Sequence, residues 1–330
     1  MDRMKTLIHH DGALGDALLS LTCIDAIKAD SSSVHVQGRQ DVVAFLKETG
    51  CVDAASSSGA SAYASLYTAA DLDTRKFLSR FDRAFVFTAR SDSPLPANIG
   101  ALIPDTRTVG TIPPDDVKIH VALYRLAQLF PDRLSAEPPV LHCSQQSRDG
   151  SQSLIEAAGY VGGRMLIAVH PGSGGKSKCW RLDRYFELVV KLRKSCNPFF
   201  LLFSGPAEGL HMKKQIDRFS LGCDDVLHVS GMELIQAASL LSLCSLYIGN
   251  DSGFTHLAAA MGCAVIALFG PTDPVLWRPT GPRVEVVSAG FPGSLDEITV
   301  ASVYEKAVSL VPVRSSSIAV PARREEEFSL

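Results

Sequence analysis

The chain has 330 residues, of which 46% are hydrophobic and 20% charged, and a formal net charge of −3. That length suits two α/β domains of ordinary size, and that composition suits full apolar cores rather than disorder. The charge balance gives no global reason to expect a nucleic-acid partner.

Residues 1–5 lead straight into a short apolar strand over residues 5–9, without the roughly 7–15 residue apolar core of a secretory signal. No apolar run approaches the roughly 18 residues needed to cross a bilayer. The expectation is a cytoplasmic protein that touches a membrane at most at its surface.

A helix is expected over residues 16–29, a strand over 34–36, a helix over 41–49 and a strand over 84–87. Residues 54–70 are rich in Ser and Ala and read as a loop or a weakly specified helix. Pro and Asp weaken any regular reading of residues 91–116, and a helix follows over 117–130. Prolines and polar residues over 131–150 mark the approach to a domain boundary.

A second α/β rhythm begins near Met165. It predicts strands over 165–170, 198–203, 245–248 and 264–269. Helices are expected over 183–194, 234–243, 255–261 and 300–311. Strands alternating with helices imply parallel sheets with crossover helices. Two domains are expected, 1–150 and 151–311, with a Ser-, Arg- and Glu-rich tail over 312–330 that reads as mobile.

Eight cysteines, at 23, 51, 143, 179, 196, 223, 244 and 263, include no C-x-x-C pair. They read as reduced, mostly buried thiols rather than a zinc site. Asp71-Leu72-Asp73 has D-x-D form but follows no hydrophobic strand, so it reads as a helix-start charge pair. His9 and His10 have no partner at metal spacing and read as structural. Trp180, Met232 and Phe254 suit a core.

Three blocks place small polar residues between an apolar strand and a helix. In Tyr247-Ile248-Gly249-Asn250-Asp251-Ser252-Gly253-Phe254-Thr255-His256, the free N–H groups and positive dipole end of the helix suit a phosphate. The same residues also suit a plain N-cap. His170-Pro171-Gly172-Ser173-Gly174-Gly175-Lys176-Ser177-Lys178 is Gly-rich with two lysines, which suits a diphosphate cradle, although its spacing is too short for a P-loop. Asp11-Gly12-Ala13-Leu14-Gly15-Asp16 lacks G-x-G-x-x-G, and Gln37 ends the next strand where a nicotinamide site needs an acidic ribose ligand. Asp16 is then either a helix cap or a general base facing a cleft. Glu208, in Gly205-Pro206-Ala207-Glu208, suits a ribose diol or a solvated loop.

These blocks, with Leu268-Phe269-Gly270-Pro271-Thr272-Asp273-Pro274, occur in an order that resembles glycosyltransferase family 9, the ADP-heptose:lipopolysaccharide heptosyltransferases. The resemblance spans roughly residues 4–311. Thr22 stands where the family usually has proline, Phe254 where proline, leucine or methionine is common, and residues 91–116 fit the pattern poorly.

The resemblance implies an α/β GT-B fold, two facing Rossmann-like domains with an interdomain cleft. It implies an inverting, metal-independent glycosyltransferase that moves a heptose from ADP-heptose to a lipopolysaccharide core or other glycan acceptor. It places the catalytic base at Asp16 in the first domain. It places donor contacts at Ser173, Gly174, Lys178, Glu208, Met232, Asp251, Ser252, Gly253 and His256 in the second. No cofactor beyond the nucleotide-sugar donor is implied, and the acceptor would bring the protein to the cytoplasmic face of the inner membrane. A nucleotide-sugar epimerase and a non-catalytic sugar-nucleotide binder are the competing readings.

Overall fold

The computed structural model describes residues 4–59, 64–68, 70–133 and 135–311. The chain's apolar runs form the inner strands of two wholly parallel sheets. The first contains β1 (Met4–His10), β2 (Ser31–Gly38), β3 (Ala54–Ser57), β4 (Arg83–Thr88) and β5 (Asp105–Gly110) in the order β3-β2-β1-β4-β5. The second contains β6 (Leu166–His170), β7 (Phe199–Ser204), β8 (Val226–Ser230), β9 (Leu246–Asn250), β10 (Ala264–Phe269) and β11 (Val284–Ser288) in the order β11-β10-β9-β6-β7-β8.

Both sheets are doubly wound. Strand order reverses between β1 and β4 in the first and between β6 and β9 in the second. Connections leave opposite ways at such a point, which opens a crevice beyond the strands' carboxyl ends. The blocks at residues 11–16, 170–180 and 250–256 all lie there. β6, β7, β9 and β10 are buried along their full length, because helices cover both faces of the sheet.

Several elements depart from the expectations. The helix expected over 16–29 is two helices, Leu14–Leu18 and Leu21–Ala29. The amide of Ser20 bonds to the Ala17 carbonyl rather than to that of Asp16. The freed Asp16 carbonyl accepts instead from the Ser20 hydroxyl and the Arg125 guanidinium. Residues 54–57, read as loop or weak helix, are the edge strand β3. Within 91–116 lie a helix, Leu95–Gly100, and the edge strand β5. The helix expected from 117 begins at Val121, where His120 caps it through Ala122 N–H. Helix Leu210–Ser220 and the edge strands β8 and β11 fall in stretches that had no reading.

Helix Gln145–Ala157, which begins before residue 150, packs on helix Leu234–Leu243 of the second lobe. Asp71 caps helix Leu72–Leu78 through Thr74 N–H, in keeping with a helix-start role. All eight cysteines are free thiols. Residues 312–330 and parts of 54–70 lie outside the described residues.

Asn250, fully buried at the end of β9, ties the second crevice together. Its Nδ2 donates to the carbonyls of Pro171 (2.8 Å) and Gly172 (3.2 Å). Its Oδ1 accepts from Trp180 N–H (2.9 Å) and the Tyr185 hydroxyl (2.9 Å). One amide therefore pins both ends of the loop that carries Ser173 and Lys178 against the turn that carries Asp251. Asn250→Ala leaves several of these buried groups unpaired and should lower stability by about 3 kcal/mol. Urea denaturation reads that as a lower midpoint, and an unchanged midpoint would contradict the clamp.

Candidate active site

The two lobes meet glycine to glycine. Helix Leu14–Leu18 of the first packs on helix Gly253–Ala260 of the second. A Cβ on Gly253 would lie 2.9 Å from Gly15 N, and one on Gly15 would lie 3.3 Å from Gly253 Cα. Neither position has room for a side chain.

Two cavities open on either side of this contact. The larger, about 950 Å³, is walled by Leu14, Phe203, Ser204, Met232 and Phe254, among others, with helix Gln40–Glu48 opposite. The smaller, about 530 Å³, is lined by His9, Asp11, Asp16, Tyr67, Arg90 and Trp277, among others. Leu14 thus faces one cavity and Asp16 the other, two residues along the same helix.

Asp16 is held by Arg125, whose side chain is fully buried. Arg125 Nη2 donates to Asp16 Oδ1 (3.0 Å) and to the Thr111 carbonyl (2.8 Å). Nη1 donates to the Asp16 carbonyl (2.6 Å) and to Ser20 Oγ (2.9 Å), and Nε to the Thr111 carbonyl (3.1 Å). All five guanidinium N–H groups are used. The Asp16 side chain keeps 37% of its surface exposed, and its Oδ2 has no partner among the described residues.

His10 completes the support. Gly12 N–H donates to its Nδ1 (3.2 Å), so the proton sits on Nε2 and is donated to Ser20 Oγ (3.1 Å). Burial, reinforced by the Arg125 charge, pushes the His10 pKa down to about 4. Asp11, another carboxylate of the smaller cavity, has closer partners. Burial would raise its pKa, but hydrogen bonds led by His9 and including Tyr67 hold it at about 2. His9 Nε2 lies 3.0 Å from Asp11 Oδ2, and the Tyr67 hydroxyl donates to the same oxygen at 3.3 Å. A carboxylate so engaged is a poor proton acceptor.

On the second lobe, three of the expected donor contacts bond to one another. Lys178 Nζ lies 2.8 Å from Asp251 Oδ2, and Ser173 Oγ donates to the Asp251 carbonyl (3.0 Å). Thr272 joins them by donating to Asp251 Oδ2 (2.7 Å). Ser252 is the N-cap of helix Gly253–Ala260, accepting from Thr255 N–H, so the cap reading holds for it. His256 is buried one turn into that helix beside Gly15, and burial lowers its pKa. Gly174 is exposed and carries no close contact.

A second group surrounds the larger cavity. The Glu208 side chain is 3% exposed, accepts from Gly205 N–H and lies 3.6 Å from His170 Nε2. It presses so closely on Gly172 that a Cβ there would lie 1.7 Å from its oxygen. Burial raises its pKa, but the nearby His170 ring and the Gly205 amide outweigh this and hold it low. Met232 and Phe254, which suited a core, line the cavity instead, with the Phe254 ring 4.8 Å from that of His170. Trp180 is buried as expected.

Residues 115–303, more than half of the chain, match the profile of glycosyltransferase family 9 (heptosyltransferase). The chain belongs to glycosyltransferase family 9. It is 29% identical over 116 residues to lipopolysaccharide heptosyltransferase 3 of Escherichia coli K12, covering 34% of this chain and 33% of that one. It is 26% identical over 194 residues to lipopolysaccharide heptosyltransferase 2 of Salmonella typhimurium, covering 52% and 55%. The matches thus span from a third to about half the length of these curated relatives. The solved structure of the E. coli ADP-heptose LPS heptosyltransferase II superposes with a TM-score of 0.74 at 20% identity, over 93% of this chain and 98% of that one. The fold is GT-B, as the motif resemblance implied. Among the described residues no helix is long and apolar enough to cross a membrane, and no group of three or more His, Cys, Asp or Glu side chains is placed to hold a metal ion.

Sequence reasoning missed Arg125, Thr272 as a partner of Asp251, and the clamp at Asn250. Arg125 did leave a signal. Val121, Ala122 and Leu126 mark the apolar face of helix Val121–Leu129, and Arg125 falls on that face. A charge in a core register asks for a buried partner.

Removing the guanidinium leaves the Asp16 and Thr111 carbonyls without their charged donor. Arg125→Met should lower stability by roughly 3–5 kcal/mol, read as a lower urea midpoint. A separate prediction concerns pH. An unfolded histidine takes up its proton near pH 6.5, whereas folded His10 does so only at about 4. Its contribution is therefore complete above pH 6.5 and is lost as pH falls toward 4. Urea midpoints should drop between pH 7 and pH 5, and less steeply in His10→Gln. Equal slopes in parent and variant would remove His10 from the account.

Proposed function

We propose that the protein is an inverting, metal-independent glycosyltransferase that moves a heptose from ADP-heptose to a lipopolysaccharide core or a related glycan. One observation carries this reading. Gly15, next to a carboxylate with an open oxygen, packs against Gly253 at the start of an anion-suited helix, and Asp16 lines the smaller cavity while Phe254 of that helix lines the larger. The relatives supply the substrate class: two are lipopolysaccharide heptosyltransferases, and the similar structure is an ADP-heptose LPS heptosyltransferase.

In this reading the nucleotide occupies the larger cavity, with its ribose toward Glu208 and its adenine toward Met232. The diphosphate lies at Ser173, Gly174, Lys178 and the Ser252–Gly253 helix start, near His256. Lys178 gives one N–H to Asp251 and keeps two for phosphate oxygens. Asp251 keeps Oδ1 for a sugar hydroxyl, since its side-chain bonds with Lys178 and Thr272 both fall on Oδ2.

The acceptor enters the smaller cavity. Asp16 Oδ2 takes the proton of its hydroxyl as that oxygen bonds to the anomeric carbon. The bond from that carbon to the β-phosphate oxygen breaks on the opposite face, its electron pair leaves with ADP, and the configuration inverts. Lys178 and the helix start stabilise the charge that grows on ADP. No cofactor beyond the donor takes part. A lipid-borne acceptor would bring the protein to the cytoplasmic face of the inner membrane.

Incubation with ADP-heptose, with and without acceptor, tests this. ADP release should require acceptor and persist in EDTA. Asp16→Asn should lower kcat about 10³-fold with the Kd for ADP nearly unchanged. Lys178→Ala should weaken ADP binding about tenfold or more, read by calorimetry. Isomerised donor without acceptor would mean an epimerase instead, and normal turnover by Asp16→Asn would remove the base.

A further inference from the structure

A chain of three hydrogen-bonded polar side chains runs from the surface to the larger cavity and has no part in the mechanism above. Ser204, the last residue of β7, lines that cavity. Its Oγ lies 2.8 Å from His228 Nε2 on the neighbouring strand β8. His228 Nδ1 lies 2.6 Å from Asp217 Oδ1 on helix Leu210–Ser220. The His228 side chain is 8% exposed, whereas that of Asp217 is 57% exposed.

The order Ser–His–Asp invites a nucleophilic reading, but the surroundings oppose it. An acyl intermediate needs free N–H donors at the serine. The neighbouring Gly205 N–H is taken by the Glu208 carboxylate, which would also repel an oxyanion.

The geometry points instead to hydrogen-bond polarity. An ionised Asp217 only accepts, so His228 Nδ1 carries the ring proton. In that tautomer the ring accepts at Nε2, and the Ser204 hydroxyl donates to it. What Ser204 offers the cavity is therefore lone pairs alone. A free serine can turn to donate or accept, but this one is fixed as an acceptor.

We propose that Ser204, fixed in this way by His228 and Asp217, reads the nucleoside by accepting a hydrogen bond from one of its N–H or O–H groups. The inference rests on the nucleotide occupying the larger cavity. Its location then follows: Ser204 stands between Gly205, which holds Glu208 on the ribose side, and the paired Ser230 that precedes Met232 on the base side. The same wall carries another buried polar atom with no partner among the described residues, Nδ1 of His170.

Calorimetry with ADP, 2′-deoxy-ADP and IDP tests it, since the analogues lack a ribose hydroxyl and the exocyclic amine respectively. The parent should discriminate against one analogue, and that analogue identifies the donor group. Ser204→Ala should bind ADP roughly fivefold more weakly while losing that discrimination, with its melting temperature retained. Asp217→Asn, at an exposed position, lets the amide donate to Nδ1 and frees the serine proton. It should weaken ADP binding to a similar degree but add nothing in the Ser204→Ala background. Parental affinity in Ser204→Ala, uniform weakening for all three nucleotides, or additive effects of the two substitutions would overturn the inference while leaving the nucleotide site standing. A parent that binds no ADP would overturn both.

Discussion

A guanidinium buried behind helix Leu14–Leu18 sets the geometry on which the rest depends. Arg125 cannot shed its charge, so burial obliges every N–H to find an acceptor. Two of those acceptors belong to Asp16, its carbonyl and its Oδ1. Supplying the carbonyl requires helix Leu14–Leu18 to stop where it does, because a continuous helix would spend that oxygen on its own ladder. The break and the carboxylate's orientation are thus one event. Ser20 shares the load, accepting from Arg125 and His10 and donating to Asp16, which fixes every proton in the cluster.

The same economy governs the facing lobe. A parallel sheet whose order reverses leaves an opening at the reversal, and this chain places its two reversals so that they open toward each other. Close approach then needs residues without side chains. Gly15 and Gly253 supply it, and on the helix that carries Gly15 the neighbouring residues Leu14 and Asp16 line different cavities. Asn250 does for the second lobe what Arg125 does for the first, since one side chain with all its bonding capacity engaged holds two loops in register. Both residues act through others, and neither is exposed to a substrate.

What the sequence disclosed follows from burial. Each interior strand, β1, β2, β4, β6, β7, β9 and β10, stood out as an apolar run, because helices on both faces demand one. The strands that escaped notice, β3, β5, β8 and β11, are the four sheet edges. Ala54–Ser57 is half-buried throughout, and in Asp105–Gly110 only Val109 is fully buried, so neither carries a period to read. The site residues divide in the same way. Asp16, Ser173, Lys178 and Asp251 sit in or beside short turns whose local pattern announces an anion or a cap. Arg125 shows only as a charge in a core register, which names no partner, and the Ser204–His228–Asp217 chain is assembled across separate elements that no local spacing links. Local pattern could not tell that Phe254 lines a cavity, since an apolar side chain looks the same facing a core or an opening, and for Met232 only the family resemblance pointed to a ligand.

The pairing of Lys178 with Asp251 bears on how such a site discriminates. Asp251 is almost fully buried, and burying a carboxylate without a partner is costly. Lys178 and Thr272 meet that demand, so the lysine is already ordered and little rotamer freedom remains to be lost when a ligand arrives. The pair also cancels the local charge. A single small anion would have to share Lys178 with a carboxylate, and it gains less there than it would from a free ammonium. A diphosphate tied to a sugar meets the site differently. In the proposed binding mode its oxygens would take the remaining N–H groups and the helix start, while a sugar hydroxyl would donate to Asp251 Oδ1. The carboxylate that repels a bare phosphate would then become a contact for the sugar, and such a site would favour the joined ligand over either half.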